Sequence, residues 1–251
     1  MIQVKNLTKV FHDKKKGKIT AVNDIGFNCQ KGQIYGLLGP NGAGKTTTLR
    51  ILATMMTPTE GEVLINGYHV VRSAHKVRQN IGFLSVETGL YDRFTPRETV
   101  HFFGKINGMR EKEINKRMAL IFDILGMGHF QDVRVDKLST GMKQKLSIAR
   151  AIIHDPPVLI FDEPTTGLDV ITARVVIEYI REFRNQGKCI IFSTHQMHEA
   201  EKICDKIGII HLGKLLSMGT MEDLKKYFPV GDLEEIFFKL IEKKSTVNEL
   251  E

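Results

Sequence analysis

The run Gly39-Pro40-Asn41-Gly42-Ala43-Gly44-Lys45-Thr46-Thr47 has residue types and spacing that suit one task. It reads as glycine, four residues, then Gly-Lys-Thr, a pattern that wraps backbone N–H groups around phosphate. The glycines allow backbone conformations that a side chain would forbid. Lys45 adds a charge that reaches the outer phosphates, and the Thr46 hydroxyl can ligate Mg²⁺. Further along, Asp162 and Glu163 follow an apolar run, and His195 follows another. Asp162 can hold Mg²⁺, through water. Glu163 is the natural base for an attacking water, and His195 can hydrogen-bond a γ-phosphate. Cradle, metal, base and charge stabilisation are what ATP hydrolysis requires. A lone acid or histidine is by default structural. Three at strand ends, in one chain with a phosphate loop, are read as a site.

These residues need elements that hold them. Ile34–Leu38 reads as a short buried strand, and Thr46 to about Met55 as a helix aiming its positive end at the loop. Val158-Leu159-Ile160-Phe161 is a continuous apolar run, as in a central parallel strand, and Lys188–Ser193 is another. Open α/β sheets place ligands at such carboxyl ends. Residues 2 to 36 alternate strand-like runs with turns, and Phe11 falls in the first turn, with Lys14 to Lys18 at a hairpin tip. Phe11 could stack on a base or pack on its own sheet. Glu62–Ile65 is a strand followed by the hairpin signal Asn66-Gly67, and Asn80–Ser85 is another strand.

Composition then shifts towards helix. Thr95-Pro96-Arg97-Glu98 is a capping box, and Phe102, Phe103 and Ile106 give its helix an apolar face expected in the core. Glu111 to Leu125 has helical spacing and stops at Gly126. Helices also follow Ser139 and Asp169, Ile207–His211 pairs with Lys214–Leu216, Thr220 caps a short helix, and Leu233 to Ile241 is amphipathic.

With 251 residues, 42% hydrophobic and 26% charged, the chain is of ordinary globular composition. The net charge of +7 permits nucleic acid, an anionic membrane surface or phosphate ligands and selects none. Cys29, Cys189 and Cys204 form neither a disulfide framework nor a metal motif, which fits a reducing cytosol. No apolar run approaches the ~20 residues of a membrane span, so the chain is not expected to cross a membrane itself.

Gly39–Thr47, Leu138-Ser-Thr-Gly-Met-Lys-Gln144, Val158–Pro164, Gly167-Leu-Asp169 and Ser193-Thr-His195 together resemble the ATP-binding subunit of an ABC transporter. The Leu-Ser-x-Gly-x-x-Gln segment discriminates, because phosphate loops are common to many NTPases. The resemblance implies an α/β P-loop NTPase: a mixed-sheet core and antiparallel β-subdomain over residues 1–87 and 156–219. It adds an inserted helical subdomain over about 88–155 and a C-terminal helical tail over 220–251. It implies ATP and Mg²⁺ as cofactors. Two copies, identical or related, would meet head to tail, with Ser139 and Gly141 touching the γ-phosphate on the partner's loop. Phe11 takes the place of an adenine-stacking aromatic. A transmembrane permease would hold the chain to the cytoplasmic face of the membrane. Nucleic acid is not expected as a partner.

One position departs from the family. Where it has a metal-coordinating glutamine after Ile81–Ser85, this chain has Val86, then Glu87. Either Glu87 takes over or water fills the position. The run Leu84 to Thr95 is similar to ATPases of sodium-efflux exporters of the Nat type. Two other functions compete. A soluble ABC ATPase acting on nucleic acid or ribosomes would need a long coiled coil or a second cassette. Only about ninety residues without sustained heptads separate loop and signature here. An import ATPase shares all these motifs.

Overall fold

The computed structural model describes residues 1–15, 17–85, 89–228 and 231–248. Lys16, Val86 and Glu87 lie outside them, and so does the question of which residue replaces the family's glutamine. The chain opens with β1 (Ile2–Asp13) and β2 (Gly17–Cys29), a single antiparallel hairpin with Lys14 and Lys15 in its turn. The breaks expected within this region are bulges in two continuous strands. Asn6 and Asp24 take positive φ of 48° and 52°, and Asn6 Nδ2 donates to Asp24 Oδ1 at 2.8 Å. Phe11 is therefore a strand residue facing Ile19, not a turn residue.

β3 (Ile34–Leu38) leads through the phosphate loop to α1 (Lys45–Leu52). β4 (Glu60–Ile65) turns at Asn66 and Gly67, both at positive φ, into β5 (Tyr68–His69). α2 (Ala74–Asn80), which carries a single buried apolar residue, Val77, and so gives little periodic signal, precedes β6 (Ile81–Ser85). α3 (Pro96–Ile106) begins with the capping box at Thr95, and α4 (Glu111–Ile124) stops before Gly126 at φ 60°. α5 (Thr140–Ile152) follows the signature, then β7 (Val158–Asp162) and α6 (Val170–Asn185). β8 (Cys189–Thr194), α7 (Met197–Ile203), β9 (Lys206–His211) and β10 (Lys214–Gly219) come next. The chain closes with α8 (Met221–Tyr227) and α9 (Leu233–Asn248).

The strands form two sheets. One is antiparallel, in the order β2-β1-β4-β5; the other runs β10-β9-β3-β8-β7-β6 and is parallel except for β10. Alternation decides how the layers stack. In β7, Val158 and Ile160 join the apolar cluster of the antiparallel sheet and α1, while Leu159 and Phe161 join that of α4, α5 and α6. Cys189 and Ile191 against Ile190 and Phe192 repeat the pattern in β8. Buried on both faces, these strands must read as unbroken apolar runs. Each side chain so covered contributes roughly 1.5–3 kcal/mol of transfer free energy.

One expectation about the core fails. Phe102 and Ile106 are 39% and 63% exposed. The reason is local: α4 approaches α3 at Gly104, where a Cβ would lie 2.7 Å from Ile114 Cγ1. The buried stripe of α3 therefore runs through Thr99, Val100 and Gly104.

Candidate active site

Because β3, β7 and β8 are parallel, their carboxyl ends emerge at one edge. Register places Asp162 beside Ser193 and Leu38 beside Thr194. The phosphate loop after β3 thus faces the acids after β7 and the histidine after β8. The loop is fixed from behind. Ala43 N donates to Pro40 O at 3.2 Å, and Gly213 N from the β9–β10 turn donates to Ala43 O at 2.9 Å. Gly44 has φ 107°, and a Cβ there would lie 2.5 Å from Ala21 O of β2. A Cβ on Gly39 would run into Ile210 O. Close backbone packing, not looseness, selects these two glycines.

Lys45 is buried at 3% exposure. Its Nζ donates to Gly39 O at 2.6 Å and Pro40 O at 3.2 Å and pairs with Glu163 Oε1 at 3.1 Å. Glu163 takes φ 50°, held by its N–H, which donates to Ser193 O at 3.2 Å. Its Oε2 accepts from Thr166 Oγ1 at 3.0 Å and lies 3.1 Å from His195 Nδ1. Burial pushes this carboxyl up, but Lys45, Thr166 and His195 together hold it below the ordinary carboxylate range. Asp162 is 4% exposed, and its Oδ1 accepts from Ser193 Oγ at 2.7 Å and Thr46 Oγ1 at 3.3 Å. Here burial prevails and lifts the carboxyl above its ordinary value, against those hydroxyls and the Lys45 charge. The two adjacent carboxyls of this site are thereby shifted in opposite directions.

The donor set fits the expected ligands. A backbone cradle with one buried ammonium suits a polyphosphate. The hydroxyl of Thr46 and the carboxylate of Asp162, hydrogen-bonded to each other, are hard oxygen donors of the kind Mg²⁺ takes alongside phosphate oxygens and water.

The other expected residues stand further out. Phe11 is 37% exposed, with Lys9 Nζ 5.2 Å above its ring, on the hairpin that backs Gly44. It faces Ile19, two residues before Ala21. Ser139 caps α5 by accepting from Met142 N at 3.3 Å. Gly141 lies against Thr172 of α6, where a Cβ would be 3.1 Å from Thr172 Cγ2. Ser139 and Gly141 thus stand with the start of α6, where Asp169 caps the helix, rather than in the Lys45–Glu163 group. Gln144 Nε2 donates to Pro164 O at 2.5 Å, tying the signature helix to the segment after Glu163.

Two contributors carry no role in the sequence reading. Ser193 and Thr166 hold the two acids, and Ser193 was legible only as part of a motif. A cavity of about 450 Å³ beside Pro40, Asn41 and His195 is walled by Phe237 and Phe238 of α9.

Residues 22–166 match the family model for the ABC transporter domain. The chain belongs to the ABC transporter family. Its ATP-binding proteins include NatA of Bacillus subtilis, to which this chain is 40% identical over 94% of its own length and 96% of NatA's. The linearmycin resistance ATP-binding protein LnrL of the same organism is 33% identical, over all of this chain and 81% of that protein. Among solved structures, the ATP-binding subunit of an ABC transporter superposes with a TM-score of 0.87 at 28% identity, covering 96% of this chain and 99% of the other. A dimeric cassette in a post-hydrolysis state with ADP and phosphate gives a TM-score of 0.80 at 26% identity, over 88% and 99%. The cassette described here is accordingly an ATP-binding ATPase, a subunit of the kind that pairs with permeases and forms dimers. No helix among the described residues is long and apolar enough to cross a membrane.

Proposed function

We propose that this cassette hydrolyses Mg²⁺-ATP at the interface of a two-fold dimer and drives an exporter, with Na⁺ as its cargo. The observation that carries the chemistry is the meeting of Lys45, Asp162 and Glu163 at one sheet edge, with Glu163 3.1 Å from Lys45. In this reading Gly39 to Thr47 cradles the phosphates, and Lys45 leaves Glu163 for the β- and γ-oxygens. Thr46 and Asp162 hold Mg²⁺, which neutralises charge on the phosphates when bound. Glu163, freed from Lys45, takes a proton from the attacking water. His195, hinged on Glu163, turns to the γ-phosphate. Phe11 stacks on the adenine, and Ser139 and Gly141 close the site of the opposing copy, aided by the dipole of α5.

Export is supported by relatives such as the Nod factor export ATP-binding protein I of Ralstonia nicotianae, 37% identical over 89% of this chain and 70% of that protein. Na⁺ rests on the likeness of Leu84–Thr95 to sodium-efflux ATPases. The permease docks in the groove between the six-stranded sheet and the inserted helices of residues 88–155. That groove, about 370 Å³, lies between β6, α2 and α3. It adjoins a cluster in which the rings of Tyr91, Phe94 and Phe102 lie within 6.3 Å of one another.

The test is affinity purification of the tagged chain from detergent-solubilised membranes, followed by reconstitution with the membrane protein that accompanies it. Crosslinks from Tyr91→Cys or Phe94→Cys to that protein, and ATP-dependent Na⁺ movement in vesicles, are expected. Crosslinks confined to α9 near Phe237 would move the docking surface. ATP hydrolysis without Na⁺ movement would remove Na⁺ as cargo.

A further inference from the structure

The 450 Å³ cavity beside the phosphate loop is walled on one side by α9 and on the other by Pro40, Asn41 and His195. The α9 wall is firmly held. Leu233 N donates to Glu201 Oε1 at 2.6 Å, and Ile236 and Phe237 join one apolar cluster with Ala200 of α7. The His211 ring meets Phe237 edge-on at 6.3 Å. Phe238 packs edge to face on Phe237 at 5.8 Å, yet it is 56% exposed and lines the cavity. A second apolar pair stands open at the start of α6. Val170 and Ile171 are 86% and 78% exposed, in a first turn that carries no acidic residue. A helix start ordinarily favours acidic groups there.

We propose that Val170 and Ile171 of one copy enter the α9 cavity of the second copy and pack on its Phe238, which makes α9 part of the dimer interface. The inference rests on the head-to-tail dimer proposed above and adds an apolar contact outside the nucleotide. The link between the signature and α6 carries it. Gly141 lies so close to α6 that a Cβ there would be 3.1 Å from Thr172 Cγ2, so the two helix starts move as a unit. Where Ser139 and Gly141 reach the second copy's phosphate loop, the first turn of α6 is brought to the residues flanking that loop. Pro40 and Asn41 of the loop are the cavity wall. Within one chain, Gln196 and His198 line both the α9 cavity and the cavity beside Val170. The two surfaces therefore share a face. A two-fold axis through that face forms the contact twice, as an isologous interface requires. Aliphatic side chains entering an aromatic-walled cavity remove apolar surface from water on both copies. The cavity suits a phosphate ligand poorly, because its described lining holds Glu234 and neither Lys nor Arg.

The test uses the full chain carrying Glu163→Gln, with Mg²⁺-ATP, and reads dimer dissociation by sedimentation. The pair Val170→Ala with Ile171→Ala, and separately Phe238→Ala, should each raise the dimer dissociation constant at least about tenfold, because the contact occurs twice per dimer. All three positions are exposed, so the melting midpoint of the ATP-free monomer should not move. Combining the three changes should add little to either set alone, since both remove the same contact. A mixture of the Val170→Cys and Phe238→Cys proteins, treated with a short bismaleimide, should give an ATP-dependent crosslinked dimer that neither protein gives alone. Cys29 and Cys189 are buried, and the parent protein controls for Cys204. If the parent forms no dimer with ATP, the dimer reading fails and this inference with it. If the parent dimerises but the Val170 and Ile171 changes leave its dissociation constant unaltered, or the mixture does not crosslink, the α9 contact is wrong and the dimer stands. Fully additive losses would place Val170 and Phe238 in separate contacts and overturn their pairing.

Discussion

Replacing Glu163 by Gln is expected to separate hydrolysis from binding. The substitution preserves length and shape, and glutamine can adopt the φ of 50° as well as glutamate can. It keeps an oxygen for Thr166 Oγ1, now 3.0 Å from Oε2, so the local fold should survive. It removes the carboxylate proposed to accept the water's proton. Loss of a general base costs about 10²–10⁴ in rate, or ~3–5.5 kcal/mol of barrier. It also removes the ion pair at 3.1 Å that holds Lys45 back from a phosphate. Lys45 is 3% and Glu163 18% exposed, so the pair is shielded yet borders solvent. A value on the order of 1 kcal/mol, about fivefold in Kd, is reasonable for such a pair. ATP affinity in Mg²⁺ should therefore be equal or up to about fivefold tighter. The assays are titration calorimetry with ATP and phosphate release at saturating ATP, with size-exclusion chromatography to detect an ATP-dependent dimer. Phosphate release within about threefold of wild type, well short of the loss expected for a base, would refute Glu163 as the base. Weakened ATP binding would refute the competition between Glu163 and phosphate for Lys45.

Three further outcomes are expected. Gly44→Ala forces a Cβ to 2.5 Å from Ala21 O at a φ of 107°, so denaturant unfolding should show a loss of about 1–3 kcal/mol, with ATP binding lost alongside. Ser139→Ala removes the cap on Met142 N and should cost ~1 kcal/mol in unfolding free energy, while preventing the ATP-dependent dimer of the Glu163→Gln protein. The two acids should respond to pH with opposite sign in the metal-free protein. Glu163, held low, contributes stability above the ordinary carboxylate pKa that is lost as pH falls through its depressed value, so the deficit of Glu163→Gln in melting temperature should shrink in acid. Asp162, raised by burial, favours the fold when protonated and loses that contribution as pH rises through its raised value. Asp162→Asn should therefore melt higher than wild type at neutral pH, and the gain should vanish in acid.

Much of this was legible because it is local or periodic. The phosphate loop declares itself through glycines that pack against Ala21 and Ile210 and a lysine at fixed spacing. The doubly buried strands β7 and β8 declare themselves as unbroken apolar runs, and the caps at Thr95, Ser139, Asp169 and Thr220 by residue type. What one short window cannot hold is the partner across a sheet or between helices. Phe11 looked like a turn residue because bulges at Asn6 and Asp24 imitate turns, and only pairing with Ile19 shows the strand. Phe102 and Ile106 looked like core because their spacing is helical, whereas Gly104 decides which stripe α4 covers. The bond of Ser193 to Asp162, that of Thr46 to Asp162 and the hold of Lys45 on Glu163 join residues up to 118 positions apart. Residue types and short-range spacing determined the cradle, the strands and the identity of the acids. Strand register and helix packing alone decided which groups face them, because those contacts form only when distant segments bury their apolar faces together.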